Sequence, residues 1–132
     1  MMASGNTALM KTQYNNIPPY VTKDGSIIRE LMHPDANDGH NQSLAEAIIP
    51  VGVTTRKHLH HTSEEIYHVT QGEGCMRLGD SDLSINKGDT IVILPGTIHN
   101  VTNSGRDDMY IMCSCSPAYS HDDTELVDEQ EC

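Results

Sequence analysis

Turn-forming residues recur so closely along this chain that little room is left for helices. Gly72, Gly74, Gly79-Asp80, Asn86-Lys87-Gly88, Pro95-Gly96 and Asn103-Ser104-Gly105 divide its second half into short runs, which read as strands joined by tight turns. Strands are expected near 26–32, 43–49, 53–60, 65–71, 74–79, 82–85, 89–94, 98–103 and 108–115. The run 43–49 carries Leu, Ala and Glu residues that suit a helix, but it is short and ends at Pro50. Many short strands without a convincing long helix predict an all-β sandwich or barrel.

The chain has 132 residues, enough for one domain with a true core. Three parts are expected: a mobile polar arm over 1–20 that contains Pro18-Pro19, a barrel over 21–118, and an acidic tail over 119–132. Phe and Trp are absent, so Ile, Val, Leu, Met and Tyr must fill the interior. The formal charge of −11 argues against nucleic acid and anionic membrane as partners, since both are polyanions. Cys75, Cys113, Cys115 and Cys132 are too scattered for a disulfide framework. The N-terminus lacks the apolar core of a signal peptide, and no apolar run approaches the ~20 residues of a membrane span. A cytoplasmic protein acting on a small molecule is the expectation.

Two segments carry the chemistry. In GVTTRKHLHHTSEEIYHVTQG, residues 52–72, His58 and His60 lie two apart, so an extended strand projects both imidazoles from one face. Glu65 follows after a short turn. In GDTIVILPGTIHNVTN, residues 88–103, His99 stands just beyond the Pro95-Gly96 turn. Three imidazoles and a carboxylate suit a divalent transition metal.

These residues resemble the two sequence motifs of the cupins. The first, G-x5-H-x-H-x3/4-E-x6-G, is met by Gly52, His58, His60, Glu65 and Gly72. The second, G-x5-P-x-G-x2-H-x3-N, is met by Gly88, Gly96, His99 and Asn103, with Leu94 where the motif has its first proline. The resemblance covers about residues 26–115. It implies a double-stranded β-helix of jelly-roll type, one divalent metal (Mn, Fe, Co, Ni, Cu or Zn) on His58, His60, Glu65 and His99, and a homodimer. HLHHTSEE and SPAYSHDDTEL resemble, more loosely, the C-terminal cupin domain of type II phosphomannose isomerases.

Neighbouring residues have plainer roles. Glu64 and His61 are expected to face water, and His68 to lie on the face of its strand opposite Glu65. Tyr67 shares that face with Glu65 and is a candidate acid/base or core aromatic. Arg77 could line the pocket, where it would suit an anionic substrate, or point outward. Met109, Ile111, Cys113 and Cys115 form one alternating, packing face. The functional expectation is a metal-dependent isomerase, epimerase or lyase using Lewis-acid chemistry on a small sugar-like or carboxylate metabolite. An Fe(II) dioxygenase and a non-catalytic small-molecule binder are the alternatives.

Overall fold

The structure, a computed structural model, describes residues 10–127; Cys132 and the ends of the expected arm and tail lie outside them. Eleven strands run in chain order: β1 (Tyr20–Val21), β2 (Ile27–Met32), β3 (Ser43–Ile49), β4 (His58–His60), β5 (Glu64–Gln71), β6 (Glu73–Leu78), β7 (Ser81–Asn86), β8 (Thr90–Ile93), β9 (His99–Asn103), β10 (Met109–Ser116) and β11 (Thr124–Leu126). They form two antiparallel sheets, β1-β2-β3-β10-β5-β8 and β11-β4-β9-β6-β7. This is the all-β architecture expected of the turn spacing, in the jelly-roll form that the cupin resemblance implies. No helix among the described residues is long and apolar enough to cross a membrane.

The alternation of β10 places it at the centre of the larger sheet. Met109, Ile111, Cys113 and Cys115 are buried while the residues between them are less so, and β3 and β5 pair along its two edges. β5 follows the same rule, with Glu65, Tyr67 and Val69 inward. Across the interior, Met76, Ile85 and Val101 of the smaller sheet close the core. Met76 and Met109 are fully buried and fill the volume that Phe would occupy in other chains.

Between β5 and β6 the chain passes from one sheet to the other in very little space. Gly72 takes φ +93°, and a Cβ there would lie 2.9 Å from the Cα of Met109. Both observations require glycine. At Gly74 a Cβ would come within 2.3 Å of the Thr102 carbonyl oxygen and of Met109 Cε.

Three expectations need correction. The strand predicted over 53–60 is regular only at 58–60. Thr54 bridges Thr102, Thr55 N donates to Val101 O, and Arg56 N turns to Asp24 O, so the chain leaves β9 after Thr55. Within the expected mobile arm, Tyr14 packs on the body: its hydroxyl donates to Glu46, and the Arg29 guanidinium lies 4.2 Å from its ring centroid. Tyr20 pairs with Ile28. Within the expected acidic tail, Thr124–Leu126 form β11 against His60–His58. Asp123 explains that docking, because its carboxylate accepts from Thr62 N, Thr62 Oγ1 and Ser63 N.

Replacing Gly74 with Ala should lower stability by about 1–3 kcal/mol or more, because the new methyl meets backbone as well as side chain. Gly39→Ala, whose Cβ would meet nothing within 4 Å, should stay within about 0.5 kcal/mol of the parent. Denaturant unfolding of the two variants side by side checks both.

Candidate metal centre

β4 and β9 are neighbours in the smaller sheet, with His58 directly opposite His99. His60 lies on the same face of β4, as its spacing requires. Glu65 comes from β5 of the other sheet, so the site spans the interior. The second motif's turn supports the first, since Gly96 N donates to His60 O at 2.7 Å. Leu94, where the motif's proline would stand, is 57 % exposed, and the substitution disturbs no packing.

His58, His60, Glu65 and His99 are all buried. The three histidines each offer a nitrogen, and these nitrogens lie within 4.8 Å of one another. Glu65 Oε1 lies 3.1 Å from His60 Nε2 and 3.7 Å from His99 Nε2.

The opposite ring nitrogens decide what the Nε2 atoms can do. His58 Nδ1 is 2.9 Å from Arg56 O, and His99 Nδ1 is 2.9 Å from Thr97 O. A carbonyl only accepts, so both Nδ1 atoms carry the proton. His60 Nδ1 is 2.9 Å from Thr124 Oγ1, and that hydroxyl donates its own proton to Ser120 O. It can only accept from His60, which gives the third ring the same tautomer.

With each ring neutral, three Nε2 lone pairs converge beside a carboxylate oxygen. Glu65 Oε1 and His99 Nε2 are buried without a hydrogen-bond partner. Such a cluster of acceptors is stable only with a positive charge among them. The residues present fit a divalent metal.

The electrostatics agree. Burial on its own would raise the Glu65 carboxyl, but positive charge and hydrogen-bond donation from the imidazoles of His60 and His99 would pull it down to about 2, so the carboxylate stays ionised wherever a cation, whether proton or metal, sits at those nitrogens. Burial, then the charge of His99, lowers His58, which favours the neutral imidazole a metal needs. Tyr67 is pushed well above the ordinary tyrosine value by burial and then by Glu65. Burial likewise raises the thiols of Cys113 and Cys115, consistent with packing rather than nucleophilic roles.

Above these residues is a cavity of ≈ 60 Å³ walled by β2, β3 and β10, with Tyr20, Lys23, Asp24 and Tyr119 among its lining residues. Tyr67 lines it, its ring centroid 5.9 Å from that of His99. Arg77 does not. Its Nε donates to Gly79 O and its Nη1 to Asp82, because the tight β6–β7 hairpin offers acceptors nearer than the barrel interior. Exposed His68 bonds Thr90, and exposed His61 pairs with Glu125.

Sequence reasoning missed three contributors. Thr124 was hidden by the acidic residues around it. Tyr119, whose ring stands edge-on to His60 at 5.8 Å, lies beyond both motifs. Asp24, followed by Gly25, has the sequence of a turn, yet its Oδ2 is 3.9 Å from His58 Nε2.

Residues 45–115 match the Cupin domain family, and the chain belongs to it. The chain is 52% identical over 120 residues to an uncharacterized protein of Methanocaldococcus jannaschii, covering 91% of this chain and 96% of that protein. Its fold is similar to that of a predicted oxalate decarboxylase from Thermotoga maritima, with a TM-score of 0.72, 22% identity, and 82% of this chain and 99% of that one covered. It is also similar to a Streptomyces PAC13 variant with uridine, with a TM-score of 0.74, 18% identity, and 92% and 94% covered.

Thr124→Val keeps the shape of β11 but removes the acceptor that orients His60. Metal affinity should fall roughly 10- to 100-fold, with the thermal unfolding of the metal-free protein little changed. Isothermal titration with Mn(II) checks this.

Proposed function

We propose that this chain is a metal-dependent enzyme that uses Lewis-acid chemistry on a small, neutral, hydroxyl-rich metabolite of sugar-like type. The reading is carried by the three Nε2 lone pairs that converge with the Glu65 carboxylate beneath the cavity. His58, His60, Glu65 and His99 would hold the ion. A bound divalent metal polarises a carbonyl or hydroxyl and eases loss of a neighbouring proton.

The walls narrow the substrate class. Among the described residues, Asp24, Glu30 and Glu65 bring three carboxyl groups to the cavity lining, and Lys23 is the sole lysine or arginine there. Its ammonium is already committed to His121 O and Thr124 O, both at 2.8 Å. Arg77 is turned away. A carboxylate or phosphate substrate would face like charges with no side-chain cation of its own, whereas hydroxyls find acceptors on several sides. This favours the sugar-like half of the sequence-based expectation over the carboxylate half. Tyr67, whose hydroxyl burial keeps protonated, would serve as a hydrogen-bond donor to the substrate oxygen.

The test begins with elemental analysis of untagged protein purified without added metal or chelator, beside His60→Ala. A near-stoichiometric divalent metal, lost in the variant, is expected. The loaded protein is then offered aldoses, ketoses and small organic acids with and without dioxygen. Turnover of the neutral sugars in strict anaerobiosis supports the proposal, and Tyr67→Phe, which removes one donor, should lower it about 10²- to 10³-fold. Dioxygen consumption coupled to turnover would replace it with the Fe(II) dioxygenase, and tight binding without turnover with the binding protein. No metal before or after titration would sink the site itself.

A further inference from the structure

We propose that Asp24 is a fifth protein ligand of the metal centre, supplied by the hairpin between β1 and β2. The inference rests on the metal-dependent reading above and adds a residue that lies outside both sequence motifs. Two atoms bound to one ion at ~2.1 Å can be no more than ~4.2 Å apart. Asp24 Oδ2 and His58 Nε2, at 3.9 Å, meet that limit as a pair. So do the contacts of Glu65 Oε1 with His60 and His99, at 3.1 and 3.7 Å. Only the three imidazole nitrogens all lie within 4.8 Å of one another, so Asp24 and Glu65 would each close a longer gap to part of the set on binding an ion.

The carboxylate is also held in place. Oδ1 accepts from Ser26 N at 2.9 Å and Ser26 Oγ at 2.7 Å, and Ser26 is buried. These bonds fix the plane of the group and leave Oδ2 for the site. The Asp24 backbone carbonyl accepts from Arg56 N at 2.8 Å, and the Arg56 carbonyl accepts from His58 Nδ1. One residue, Arg56, thus sets both Asp24 and His58. The Asp24 side chain is only 12% exposed, and a buried carboxylate is stable where a cation meets it.

The consequence is chemical. Three imidazoles and one carboxylate leave a six-coordinate ion two exchangeable positions, but a second carboxylate leaves one. A single open position admits one substrate oxygen. It does not admit a chelating substrate, nor substrate and dioxygen together. The added negative charge also offsets that of a divalent ion, which disfavours a second anion.

Metal-free wild type, Asp24→Asn, Ser26→Ala and His60→Ala are titrated with Mn(II) by calorimetry and with Co(II) by visible absorption. Asn keeps the acceptor for Ser26 and removes the charge, so the turn should persist, as thermal unfolding of the metal-free variant would show. Asp24→Asn should bind Mn(II) roughly 10- to 100-fold more weakly, and its Co(II) form should absorb more strongly, as lower coordination numbers do. Ser26→Ala, which frees Oδ1 but keeps the charge, should give a smaller loss in the same direction. It reads the same effect should Asp24→Asn prove unstable. Wild-type uptake that His60→Ala abolishes, but that Asp24→Asn and Ser26→Ala leave unchanged in affinity and spectrum, overturns the Asp24 assignment alone. No uptake by wild type overturns the metal reading and this inference with it.

Discussion

The interaction on which the rest of the structure depends is a repulsion that must be relieved. Three imidazoles have their Nδ1 protons committed to Arg56 O, Thr97 O and Thr124 Oγ1, which leaves three Nε2 lone pairs facing a buried carboxylate. In an interior of low effective dielectric such a set is costly unless a positive charge joins it. The barrel supplies its parts from both sheets, imidazoles from β4 and β9 and the carboxylate from β5. Any slip between the sheets would therefore break the set. Binding a cation there would tie the two layers together, which couples occupancy of the site to the stability of the whole fold.

Two segments outside the sequence motifs are drawn into the same arrangement. The hairpin after β1 bonds Arg56 through Asp24, and β11 pairs with β4 over its whole length. Lys23 joins these peripheral segments by donating to His121 O and Thr124 O. Residues 20–24 and 119–124 thus flank one cavity and support one histidine strand from two sides. Segments of this kind, with short pairings at the edge of a sheet, belong to the lower-stability end of a fold.

The parts of this molecule that were legible in the sequence are those in which local pattern and tertiary role coincide. Residues 58–60 and 99 declared themselves because strand alternation alone brings His58 and His60 to one face, and the glycines at 52, 72, 88 and 96 mark turns whose backbone only glycine adopts easily. The alternation of Met109, Ile111, Cys113 and Cys115 was readable for the same reason. Arg77 was not, because its direction depends on acceptors offered by a neighbouring turn. Nor was the break in 53–60, where the chain leaves β9 after Thr55 and Arg56 bonds instead to Asp24. Thr124 acts through a single hydroxyl in a stretch whose charges suggest solvent. Asp24 has one oxygen spent locally on Ser26, the habit of a turn residue, and only the fold shows where the other oxygen goes.

Charge then links the site to the whole chain. A net −11 repels anions at long range, and the carboxyl groups of Asp24, Glu30 and Glu65 repeat that preference inside the cavity. The Lys23 ammonium is used for architecture, and Arg77 is used by its own hairpin. Burial moreover raises the Glu30 carboxyl, the response of a carboxyl group with too little positive charge near it. A divalent ion bound by the three imidazoles would be the dominant uncommitted positive centre of the cavity, and the acids around it would leave little of its charge for an anionic ligand. On the proposed reading, selectivity in such a pocket would come from hydroxyl donors meeting fixed acceptors, and from the small volume that would remain with a metal seated.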